Sequence, residues 1–119
     1  DPVLAAAAIS TMLDLPNPPT AVFAGNNMVA VGALTALSRR NALRTIAVVG
    51  FDDLDLATVL DPPLTVIEQD PEAIGRIAAA EVFGWLGGAV PTRDVVVPLR
   101  LIERGSGEIP GPFSRSLSA

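Results

Sequence analysis

The chain has 119 residues, half of them hydrophobic, with 13 Asp or Glu against 8 basic residues and a net charge of −5. That length allows one domain at most, and the absence of Cys, His and Tyr excludes disulfides, thiol chemistry, the commonest general base and most transition-metal sites. Every cation is Arg, grouped only at Arg39, Arg40 and Arg44, so the chain gains little from phosphate contacts and is not expected to bind nucleic acid by itself.

In chain order, residues 3–15 are predicted to form a helix, with Leu4, Ala8, Met12 and Leu15 at helical spacing. The run Pro16-Asn17-Pro18-Pro19 stops it. Residues 20–24 form a first strand, and Asn26 or Asn27 caps a helix over about 27–41. Met28, Val31, Leu34 and Leu37 mark its apolar positions, with Ala30 and Ala33 alongside, and Asn41 ends it in a left-handed conformation. Residues 45–50 form a second strand. A loop with one helical turn at 54–60 leads to Pro62-Pro63 and a third strand at 64–68. Asp70 caps a helix that starts at Pro71 and runs to about Leu86 through Ile74, Ile77, Ala78, Val82 and Trp85. Gly87-Gly88 closes it, and residues 95–98 and 99–103 are extended. The tail after Arg104, rich in Gly, Ser and Pro, is expected to pack little.

This order predicts an α/β fold with a three-layer parallel sheet. Short β-branched runs read as strands buried on both faces, and such sheets bind ligands at the strands' carboxyl ends. That edge collects Asn26, Asp52 and Gln69. Amides and a carboxylate without a nucleophile beside them suggest binding, not catalysis. Asn27 and Asp70 read as structural, and Trp85 as core or interface packing. Asp52, Asp53 and Asp55 together suit Mg²⁺, but no Lys and no Gly-rich phosphate loop complete such a site. No metal, cofactor or enzymatic activity is therefore expected; the rival class is a Mg²⁺-dependent phosphotransferase or a carboxylate-pair hydrolase.

Mean hydropathy is high, +0.47, yet no apolar run reaches the roughly 18 residues of a membrane span. The excess implies a surface that packs against something else. The start, Asp1-Pro2-Val3-Leu4, lacks the basic opening of a secretion signal. The expectation is a cytoplasmic protein of which this chain is a piece, with a part missing on the amino-terminal side of the sheet.

Four motifs carry a resemblance. They are the run from Pro19 through Phe23-Ala24-Gly25-Asn26-Asn27 to Leu34; Val48-Val49-Gly50-Phe51-Asp52-Asp53; Pro62-Pro63-Leu64-Thr65-Val66-Ile67-Glu68-Gln69-Asp70; and Leu101-Ile102-Glu103-Arg104-Gly105-Ser106. In this order and spacing the chain resembles the lactose-repressor (LacI/GalR) family of bacterial transcription regulators. The family has Asn-Asp where this chain has Asn26-Asn27, and a longer turn between Arg44 and Ile46. The resemblance implies a two-lobed effector domain of the periplasmic-binding-protein type, with a sugar or related polar metabolite bound between the lobes. Residues 1–104 would be mainly the carboxyl-terminal lobe, with 71–97 crossing to the other lobe and 105–119 a tail. It further implies effector contacts at Asp52, Asn26 and Gln69, and a homodimer interface at Val31, Leu34 and Leu60. DNA would be bound only through a headpiece absent from this chain. A sugar-binding component of a transporter is the alternative of similar fold.

Overall fold

The computed structural model describes residues 1–90 and 94–112. Among these residues three helices and four strands follow one another as α1 (Pro2–Leu13), β1 (Ala21–Ala24), α2 (Asn27–Arg39), β2 (Ala47–Phe51), β3 (Thr65–Glu68), α3 (Pro71–Leu86) and β4 (Arg100–Ile102). The three predicted helices and three predicted strands are present with ends moved by at most two residues; of the two extended segments, 99–103 contains β4 and 95–98 is not a strand. The sheet order is β1-β2-β3-β4. The first three strands are parallel, and β4 closes the far edge antiparallel to β3. The class is thus α/β with a mainly parallel sheet, as expected.

Local chemistry explains the helix ends. The Asp1 carboxylate accepts from the amides of Val3 and Leu4, and Asn26 and Asp70 cap α2 and α3 in the same way. Each cap satisfies an amide that has no partner within its helix. Asn41 has φ of 55° just past α2, the left-handed residue foreseen there.

The core is built from Leu37 on α2, Val48 on β2, Leu64 and Val66 around β3, and Ala57 of the loop between them. A second cluster joins Ile9 of α1 to Ala33 and Ala36 of α2. The helices meet through small residues: a Cβ added at Gly32 would lie 2.4 Å from the Pro2 carbonyl oxygen and 2.6 Å from Ala5 Cβ. Of the predicted α2 positions, Ala30, Ala33 and Leu37 are fully buried and Leu34 packs against the core; the face toward α1 differs from the expected one. The contact uses Gly32, Ala33 and Ala36, because only small side chains permit so close an approach. The large residues Leu4, Met12, Leu15, Met28 and Val31 are left exposed.

Two further expectations differ. In α3 only Ala73 is buried, and the helix packs against none of the strands or other helices. Trp85, 56% exposed, is not a core residue, and α3 does not supply a layer against the sheet. The segment after Arg104 does not hang free either. Ser106 is 2% exposed; its Oγ donates to the Val48 carbonyl at 2.6 Å and accepts from the Thr65 amide at 2.9 Å. Its backbone carbonyl accepts from the Val48 amide at 2.9 Å. One serine thus stitches β2 to β3 at the amino-terminal start of their ladder, where Val49 pairs with Thr65. Of the expected tail, residues 113–119 lie outside the described residues, as do 91–93 of the expected crossover.

Candidate functional site

Parallel register brings the carboxyl ends of β1, β2 and β3 to one edge, with Ala24 beside Gly50 and Phe51 beside Ile67. The residues that follow each strand form the site. Asp52 turns out of β2 with φ of 69°, a left-handed conformation that Asp tolerates better than most residues. Its amide donates to the Ile67 carbonyl at 2.9 Å, which fixes the turn to β3. Its Oδ1 accepts from Gln69 Nε2 at 2.7 Å. Two of the predicted ligand residues are therefore in direct contact.

The third is placed differently. Asn26 Oδ1 accepts from the Val29 amide at 3.0 Å, so that oxygen serves as the cap of α2. Asn27 is the asparagine that lines the depression at this edge, with Asp52, Asp53, Glu68, Gln69, Pro71 and Ile74, around a volume of about 390 Å³. With its amide oriented so that the nitrogen faces the acceptors, it donates to the Phe51 and Asp52 carbonyls, each at 3.2 Å, and so ties α2 to the turn after β2. Two adjacent asparagines after a strand give no pattern that says which one caps the helix and which one faces the edge.

Asp53 is committed elsewhere. It accepts two hydrogen bonds from Arg104, at 2.7 and 2.6 Å, and one from the Leu54 amide at 2.9 Å. The Arg104 guanidinium beside it holds its carboxyl below the usual carboxylate range. Because the folded-state value is depressed, the pair's contribution is present above the ordinary carboxylate range and is lost as pH falls through the lowered value. Glu68 is engaged by Arg100. Asp52 pairs with no cation among the described residues, and no three acidic side chains there are disposed to hold a metal ion.

On a separate face, Val31, Leu34 and Leu60 converge with Leu43, Leu54 and Leu56 around an apolar groove of about 480 Å³. Leu56 is 66% exposed. The three residues expected at a self-association surface are thus side by side, although 29 positions in sequence separate Val31 from Leu60.

Comparison with known proteins follows the same lines. Residues 2–107 match the periplasmic binding protein-like domain. The chain is 39% identical over 103 residues to the HTH-type transcriptional repressor CytR of Escherichia coli (strain K12), covering 83% of this chain and 30% of CytR. Among solved structures, a LacI family transcriptional regulator from Arthrobacter sp. FB24 in complex with lactose superposes with a TM-score of 0.75 at 29% identity, over 90% of this chain and 41% of the other. The lac repressor dimer bound to operator and the anti-inducer ONPF gives 0.78 at 26% identity, over 88% and 32%. This chain therefore spans about three tenths of the length of the curated repressor it matches.

Proposed function

The chain belongs to the periplasmic binding protein-like domain family and is homologous to LacI-family transcription repressors, and from that premise we propose that it is the effector-sensing, self-associating part of such a regulator. Asp52 and Gln69 bind a polar small molecule, and the groove at Val31, Leu34 and Leu60 receives a second copy. The observation that carries the reading is the Asp52 carboxylate, joined to Gln69 at 2.7 Å beside a depression at the strands' carboxyl edge. A carboxylate and an amide side by side accept and donate to neighbouring hydroxyls, which suits a sugar. The lactose complex of a relative points to the same ligand class. In the intact regulator, ligand binding would shift the balance between lobe arrangements and with it the placement of DNA-reading headpieces. The relatives are transcription repressors, not enzymes, and among the described residues no helix is long and apolar enough to cross a membrane. We place the regulator in the cytoplasm.

The experiment is calorimetry on the intact regulator with lactose, D-ribose and other neutral sugars and nucleosides, followed by the weaker binding expected of Asp52→Asn. A regulator that takes up none of these compounds would refute the proposed ligand class.

Two further outcomes are expected of the chain itself. It does not bind duplex DNA, since it carries a net charge of −5 and no Lys. Fluorescence anisotropy at low salt tests this, and salt-sensitive binding at low micromolar concentration would refute it. It self-associates through the apolar groove, because Val31, 40% exposed, opens a large apolar surface with its neighbours. Sedimentation equilibrium at tens of micromolar should show a dimer, and Val31→Glu should shift it to monomer with an unchanged circular dichroism spectrum. A clean monomer for the unaltered chain sinks the idea.

A further inference from the structure

We propose that Arg104 is a positioning residue for Asp52, gripping the turn after β2 from the far side and setting the Asp52–Gln69 pair. The inference rests on the reading of that pair as the ligand contact. Arg104 touches neither partner. It reaches the site through Asp53, the residue next to Asp52, by two hydrogen bonds of 2.7 and 2.6 Å. The Arg104 side chain is only 16% exposed, against 34% for Asp53, so the pair is partly shielded from water and its fork geometry is directional.

Arg104 is itself fixed at its other end. Its amide donates to Thr65 Oγ1 at 3.0 Å, and its guanidinium also donates to the Leu64 carbonyl at 3.3 Å. Thr65 Oγ1 donates in turn to the Glu108 carboxylate at 2.8 Å, and that carboxylate accepts from the Gly105 amide at 2.6 Å. Thr65 opens β3, and Gln69 follows the end of the same strand. Arg104 therefore links the turn that carries Asp52 to the root of the strand that carries Gln69. The turn needs such a grip: Asp52 lies in the left-handed region, and a residue there persists only when its surroundings hold it. The Asn27 side chain and the Ile67 carbonyl hold the turn from the edge; Arg104 holds it from behind.

The test is carried out on the chain itself, ¹⁵N-labelled, with Arg104→Lys and Asp53→Asn. Lys keeps the charge and loses the fork; Asn keeps the shape and loses the charge. In both variants the Gln69 side-chain amide signals should move and exchange with water at least about fivefold faster, because the 2.7 Å bond to Asp52 loosens. Arg44→Lys, which alters only the exposed pair with Asp61, should leave those signals in place. Gln69 signals unmoved in folded Arg104→Lys and Asp53→Asn would overturn the proposal. Loss of folding in both would also overturn it, since Arg104 would then be a structural strut. In the intact regulator, Arg104→Lys should weaken binding of whichever sugar the calorimetry identifies by about tenfold. If Asp52→Asn leaves that binding unchanged while the Gln69 signals still respond to Arg104, the reading of the ligand site has failed and the positioning has not.

Discussion

Asp52→Asn in the intact regulator is expected to weaken ligand binding about twofold to thirtyfold. Asn preserves the volume and the side-chain oxygen that accepts from Gln69, so the turn should survive. What is lost is the charge. A hydrogen bond to a charged group contributes about 1.5–3 kcal/mol, against about 1 for a neutral pair, and each 1.4 kcal/mol or so is tenfold in affinity. Asn26→Ala is the informative contrast. Its oxygen caps α2 through the Val29 amide, so the substitution should cost about 1 kcal/mol of stability and little in binding. Calorimetry, with circular dichroism to confirm folding, separates the two. A folded Asp52→Asn that binds as tightly as the unaltered protein would reduce Asp52 to a turn residue.

The second large effect is on stability. Gly32→Val should destabilise the chain by about 2–3 kcal/mol, within the usual range for overpacking plus backbone displacement. A Cβ at this position meets a main-chain oxygen at 2.4 Å and Ala5 Cβ at 2.6 Å, and neither can rotate away. The helices must separate, and Ile9, Ala33 and Ala36 lose their shared contacts. The better helix propensity of Val over Gly recovers only a few tenths of a kcal/mol. The midpoint of thermal unfolding should fall by roughly 10 °C. Gly75, on α3, has nothing within 4 Å of an added Cβ, so Gly75→Ala should leave the midpoint unchanged or raise it. An unchanged midpoint in Gly32→Val would mean that α1 is not seated on α2 as described.

These two residues show where the sequence is legible. Helices and strands announce themselves through periodicity, Pro and Gly stops and capping residues, and the β2 and β3 ends deliver Asp52 and Gln69 to one edge as expected. Partner choice is less visible. Large apolar residues at helical spacing, Leu4, Met12 and Met28 among them, suggest the packed faces of α1 and α2. The faces that meet are instead lined by alanine and glycine, because close approach between two helices depends on small size and not on hydrophobicity. Arg104 is another long-range case. It lies 51 residues from Asp53, and nothing in the local pattern of a Gly- and Ser-rich stretch signals an ion pair. Its motif stands out only through the family resemblance, which marks the stretch as the family's close and assigns it no contact.

Ser106 bears on how the protein is made. Thr65 donates its amide to a hydroxyl 41 residues further along the chain, and Val48 reaches the same serine across 58. Synthesis proceeds from the amino end, and early segments begin to fold as they emerge. Here β2 and β3 leave the ribosome well before the residue that completes their seam. The nascent sheet must wait with two buried strand roots unfinished, open to water and to other chains. A stop or cut just before Ser106 would leave that seam open for good.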